Sequence, residues 1–247
     1  MTDIDASKNA ASFRNTLNGK FAANLTAIET HSAGKLDSAY VRLTSLQAWR
    51  TYVLEDRFSA GALGFFTEAQ SDGLVALVQA STGLWRPSHK SLRSLIENVV
   101  HCIYYNDHPV EYMRWEAGSF RPSFSSLFDY LAEHPSITKL PEGMQPVGAL
   151  RARYGELSNA VHSSSKAMRM SADELKATIW KSDAASLGKW STAQKNVLRD
   201  INLLLLILLS EHLKGAAAKP LRETLSLVIS GAKDADIKKH LSVRIIR

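Results

Sequence analysis

The stretch Arg151-Ala152-Arg153-Tyr154-Gly155-Glu156-Leu157-Ser158-Asn159-Ala160-Val161-His162 gathers the residue types that proton transfer and phosphate binding require. A histidine titrates near neutral pH and can take or give a proton, and an arginine offers a planar fork to a phosphate. At about 100° per residue, Arg151, Gly155, Ser158 and His162 fall on one helix face, with Asn159 on its shoulder. Arg153 points roughly opposite His162, and Leu150, Tyr154, Leu157 and Val161 make the apolar side. Ser, Asn and Gly are poor helix formers, so a helix carrying all three near one face has a reason to do so. Two reasons fit. One is a site where His162 acts as general acid or base, Ser158 or Asn159 orients it, and an arginine holds a phosphate. The other is a polar network that fixes helix packing around a satisfied histidine.

Upstream, Ser91-Leu92-Arg93-Ser94-Leu95-Ile96-Glu97-Asn98 carries Arg93 and Glu97 at i and i+4, the spacing of an ion pair along one helix edge, which His101 extends. A surface pair of this kind contributes only about 0.3–0.5 kcal/mol, so pairing alone does not require a site. His101, Cys102, His108 and His134 show no spacing suited to zinc, and neither metal nor cofactor is expected. Trp49, Trp85, Trp115, Trp180 and Trp190 are scattered, which points to core more than to a base-stacking surface.

The Arg93-x-x-x-Glu97 and Tyr154-x-x-Leu157-Ser158-x-x-Val161-His162 patterns resemble a bacterial group of helical proteins similar to the HEPN superfamily (higher eukaryotes and prokaryotes nucleotide-binding). The resemblance spans about Asp37 to Leu213, and its specific part is under twenty residues. It implies a helical bundle that forms a homodimer with two copies of the His162 helix face to face. In catalytic members it implies a metal-independent endoribonuclease, serving as a toxin or in antiviral defence. His162 would then be catalytic, with Ser158 and Asn159 beside it and Arg93, Glu97 and Tyr154 in support. RNA would be the partner, with a neutralising or regulatory protein as a second one. The superfamily's catalytic arginine stands a few residues before the histidine, where this chain has Gly155, Glu156 and Leu157. Arg151, Arg153, Arg93 or a second subunit would have to supply it. The competing expectation is a non-catalytic helical dimerisation module that binds a protein or nucleic-acid partner.

Charge sharpens the partner class. Of 247 residues, 30 are Lys or Arg and 24 Asp or Glu, a net charge of +6. Residues 1–150 hold 13 basic and 15 acidic residues, whereas residues 151–247 hold 17 and 9. The basic stretch begins at the motif helix, so the expectation is that positive charge maps to the face carrying His162 and steers a polyanion there. The single Cys102 rules out an internal disulfide framework. The acidic Met1-Thr2-Asp3-Ile4-Asp5 start is unlike a secretory signal, and Ile201–Leu209 is too short to span a bilayer, so a cytoplasmic protein without a membrane partner is expected.

The elements that position these residues read as helices throughout. Phe13, Leu17, Phe21, Leu25 and Ile28 predict a helix over about 8–31 closed by Ser32-Ala33-Gly34, and a second from Asp37, as N-cap, to Arg57. Gly61 to Gly64 predicts a break, and further helices follow to Gly83 and over about 88–105. Five of seven prolines fall within 106–148, predicting a short-helix crossover with helices at 110–115 and 124–133. Ser171-Ala172-Asp173-Glu174 is a capping box that predicts a helix start. That helix would run through Trp180 and Trp190 with a break at Gly188, followed by the apolar helix 191–214. Pro220 opens a further helix, and residues 234–247 predict a short helix with an extended end. The fold class is all-α, a single-domain helical bundle. Its parts are an N-terminal helix or arm (1–35), the bundle (36–215) and a basic C-terminal extension (216–247).

Overall fold

The computed structural model describes residues 6–162, 170 and 179–247, with residues 6, 7, 9, 10, 31–33 and 162 described in backbone alone. The first helix, α1, runs unbroken over Ala6–Trp49 and passes through a wide π-turn, Arg50–Leu54, into the single turn α2, Glu55–Arg57. The break expected at Ser32-Ala33-Gly34 and the cap expected at Asp37 are therefore absent. Ile28, Ala39, Leu43, Leu46 and Trp49 are all buried, at spacings of eleven, four, three and three, so one apolar stripe crosses Gly34. Burial on both sides outweighs the roughly 1 kcal/mol that a glycine costs inside a helix.

The second break also moves. Helix α3, Ala60–Ser81, begins at Ser59, whose Oγ accepts the N–H of Ala62 at 3.2 Å. Gly61 lies inside α3, where a Cβ would collide with the ring of Tyr112. Its role is close approach, not interruption. Gly83, at φ +79°, makes the turn into α4, Trp85–Asp107. The α3–α4 hairpin is tied by Ser88 Oγ donating to Ala76 O at 2.6 Å and by Asn98 Nδ2 donating to Asp72 Oδ2 at 2.8 Å.

The proline-rich crossover follows as α5, Pro109–Glu116, α6, Phe124–Glu133, and α7, Pro135–Thr138, with prolines at the starts of α5 and α7, where their missing N–H costs nothing. Helix α8, Val147–His162, carries the motif. The expected capping box at 171–174 lies outside the described residues. Helix α9, Ala184–Leu208, starts at Asp183, which accepts the N–H of Ser186 at 2.7 Å, and passes through Gly188 without a break. The chain ends with α10, Lys219–Leu225, α11, Asp234–Leu241, and a non-helical segment, 242–247. The described residues contain no strand, and the fold is all-α and single-domain. No helix among them is long and apolar enough to cross a membrane.

Helix α9 is the hub and packs against α1, α4 and α8. Its run from Ile201 to Ile207 is buried apart from Leu203, and each large side chain removed from water contributes about 1.5–3 kcal/mol. Three buried polar residues interrupt this surface: Gln194, Asp200 and Asn202. Asn202 Oδ1 accepts from Trp49 Nε1 at 2.9 Å, while its Nδ2 donates to Ser45 Oγ at 2.9 Å and Leu198 O at 2.7 Å. Gln194 Nε2 donates to Ala39 O at 2.9 Å, and its Oε1 accepts from Arg42 Nε at 2.9 Å. Replacing Asn202 by Ala strands the Trp49 indole N–H in the core, and a loss of about 3 kcal/mol in unfolding free energy is expected from urea titration.

Candidate functional site

Helices α4 and α8 lie antiparallel, because Arg93 of α4 meets Tyr154 of α8 while Arg86, two turns earlier, meets Ala160, nearly two turns later. Tyr154 sits at the centre. Its ring stacks on Phe124 at 5.0 Å and packs against Phe128 at 5.6 Å, and the Arg93 guanidinium lies 4.9 Å from its centroid. Its hydroxyl accepts from Arg93 Nη2 at 2.7 Å and donates to Glu97 Oε1 at 3.1 Å, and the same Arg93 nitrogen pairs with Glu97 at 2.7 Å. The i,i+4 pair is thus the base of a half-buried triad, in which Arg93 Nε has no hydrogen-bond partner among the described residues.

Burial raises the Glu97 carboxyl above its ordinary pKa, with Asp72 adding to the effect and Arg93 and Tyr154 opposing it. Burial likewise raises the Tyr154 phenol, which keeps it a donor at neutral pH. His101, on the same edge of α4, stacks on Phe65 at 5.3 Å and Tyr105 at 5.6 Å and meets Phe124 edge-on at 5.0 Å. Burial lowers its pKa to about 4, so it is a neutral aromatic partner. Cys102 is buried, with its thiol pushed far up by desolvation.

The other sequence-derived candidates separate. Arg151 is exposed, pairs with Asp129 of α6 and donates to Ser125 O at 3.3 Å. Arg153 points the other way, to the buried Asp200 of α9 at 3.2 Å, which Arg199 also grips at 2.6 Å. Ser158 Oγ donates to Tyr154 O at 2.7 Å, a back-bond one turn up its own helix, and Asn159 is half-buried. Leu150, Leu157 and Ala160 are the core side of α8, as the helical spacing predicts for the first two. The His162 side chain lies outside the described residues, so its relation to Ser158 and Asn159 is not seen.

Two cations join the seam that the motif did not reveal. Arg86 Nε donates to Ala160 O at 2.7 Å, in the last described turn of α8. Lys90 is exposed, lies one turn from both Arg86 and Arg93, and makes no hydrogen bond or ion pair among the described residues. Spacings of four and three put Arg86, Lys90 and Arg93 on one stripe of α4, a signal present in the sequence but hidden in a half whose net charge is negative. The basic residues Lys214, Arg222, Arg244 and Arg247 instead line a separate cleft. Lys166, Arg169 and Lys176, the basic residues that follow His162 in the chain, lie outside the described residues. The described residues contain no cluster of three His, Cys, Asp or Glu able to hold a metal ion.

Neither a family model, nor a curated protein, nor a solved structure matches this chain. The seam must be read on its own geometry.

Two measurements check that reading. Tyr154→Phe keeps the stack but removes the bridging hydroxyl. A cost of about 1–2 kcal/mol is expected in denaturant titration, together with Glu97 titrating at higher pH by carboxyl-resolved NMR, because a donor to its charged form is gone. For His101, the unfolded side chain binds a proton below about pH 6.5 and the folded one only near 4. Acid therefore favours the unfolded state across that window. Stability should fall as pH drops from 6.5 to 4, by up to about 3 kcal/mol, and His101→Phe should flatten part of that slope in pH-dependent melts.

Proposed function

We propose that the protein is a HEPN-like, RNA-directed effector, a metal-independent endoribonuclease of the kind used in bacterial toxin or defence systems. The α4–α8 seam is its phosphate-binding surface. The observation that carries this reading is the stripe of Arg86, Lys90 and Arg93 along the polar edge of α8, with Lys90 exposed and making no ion pair among the described residues. Phosphate contacts supply most of the sequence-independent affinity for RNA, and three aligned cations fit that purpose. His162, at the end of α8, is the residue suited to move a proton between the attacking 2′-hydroxyl and the leaving oxygen. Arg93 stabilises charge at the phosphate, held in place by Glu97 and Tyr154. A homodimer pairing two seams would supply a second histidine.

A second reading, a non-catalytic dimerising module, is favoured by one specific fact. Arg151 and Arg153, nearest the position of the superfamily's arginine, are both engaged by carboxylates. One experiment separates the two readings. Purified protein and His162→Ala are incubated with total RNA in chelator; cleavage lost in the variant is expected, and equal absence of cleavage with RNA binding intact establishes the non-catalytic module. Lys90→Glu should weaken RNA binding by about tenfold and lower the salt slope by about one.

A further inference from the structure

Between α1 and α3 a groove of about 430 Å³ lies open on the surface. Gly73 lets the two helices close on its floor, since a Cβ there would meet Leu43 Cδ2 at 2.7 Å. Its α1 wall is Tyr40, Thr44, Gln47 and Thr51, which recur at spacings of four, three and four and so share one helix face. Its α3 wall is Gln70 and Leu74, and Val78 continues that stripe by one turn.

Large apolar side chains stand in water here. Tyr40, Tyr52, Leu74, Val75 and Val78 are between 41% and 59% exposed. No charged side chain lines the groove among the described residues, in a chain of which 22% is charged. Its polar side chains are already paired within the chain. Gln70 Nε2 donates to Gln47 Oε1 at 2.8 Å, Gln47 Nε2 donates to Thr51 Oγ1 at 3.0 Å, and Thr44 Oγ1 donates to Val41 O at 2.6 Å. At the groove's end Gln70 Oε1 accepts from Arg50 Nη1 at 3.2 Å. Covering the face therefore strands few donors or acceptors, which removes the main cost of drying a polar surface. Tyrosine and aliphatic side chains without charge are the composition of an interface core.

We propose that this face joins two copies of the chain about a twofold axis, α1 and α3 of one packing on α1 and α3 of the other. Area favours a second copy over a small molecule. The five exposed apolar side chains, with Gln47, Thr51 and Ser71 among them, offer about 700 Å², close to the roughly 800 Å² per partner of a standard interface. A ligand held in the groove would leave Val75 and Val78, which lie outside its lining, in water. Charge favours it as well. A chain of net charge +6 repels its own copies except through a face without charge, and a charged partner finds nothing to pair with here. An uncharged face matches itself, as an isologous contact requires. This is a different contact from a pairing of the α4–α8 seams. The other side of α3 meets α4 through Asp72 and Ala76, so copies joined at α1 and α3 leave both seams open.

The test is sedimentation equilibrium of the full chain at about 1–100 μM, the range in which a micromolar dimer dissociates. A concentration-dependent mass approaching that of two chains is expected. Leu74→Asp and Val78→Asp each place two like charges across the twofold and should weaken association tenfold or more, while Lys90→Glu on the seam leaves it unchanged. Leu74 and Val78 are exposed, so both variants should fold, which their melting curves check. A monomer across the whole range overturns the proposal. So does a dimer that survives both aspartates, or one lost with Lys90→Glu, which moves the contact to the seam. A monomer that binds the apolar dye ANS and loses it with Leu74→Asp also overturns the proposal and gives the groove to a small apolar ligand.

Discussion

The buried side of a helix cannot carry uncharged amides and a carboxylate unless each finds a partner, because a buried polar group left alone costs about 1–3 kcal/mol and a charge costs more. Helix α9 carries three such residues, and each is answered from a different place. Gln194 is met by Arg42 and the carbonyl of Ala39, Asn202 by Trp49 and Ser45, and Asp200 by Arg153 and Arg199. The first two sets lie on α1 at a fixed separation along the helix. The third fixes the rotation of α8, since turning α8 by a single residue would carry Arg153 away from a carboxylate that has almost no access to water.

That rotation decides what faces α4. With Arg153 held on the α9 side, Tyr154 is aimed at Arg93 and Glu97, and the stretch from Ser158 to His162 is brought alongside Lys90 and Arg86. The seam therefore depends on a core contact on the far side of the same helix. A substitution at Asp200 would reach the seam through the angle of α8, without touching any residue in it.

Signals that act within a turn or two were legible in the sequence. Pro220 marks a helix start, the crossover helices fall close to 110–115 and 124–133, Gly83 marks the α3–α4 turn, and Arg93 and Glu97 do pair at their helical spacing. What escaped depends on the partner across a gap. Gly34 and Gly61 have the composition of breaks, yet one lies inside a buried stripe and the other accommodates the ring of Tyr112. Asp37 looks like a cap because nothing local says that the helix before it continues. The triad's third member was read as apolar core, since Tyr154 offers a ring to Phe124 and a hydroxyl to α4 at once, and spacing within one helix reports only the first. Lys90 and Arg86 went unread because a charge total taken over half a chain hides three cations on a single stripe.

The wide turn at Arg50–Leu54 has a consequence for the length of the chain itself. There the Glu55 N–H reaches back five residues to Arg50 O, so this turn holds one residue more than an α-helical turn would. The extra residue shifts the helical phase by about 100°, and the faces presented before and after it follow different registers. Trp49, Val53 and Leu54 are buried across this turn, with Arg50 spanning outward to Glu55, Thr67 and Gln70. The bulge is in effect a one-letter insertion held in the backbone, and it is the point between α1 and α2 where the protein could lose a residue by tightening a single turn.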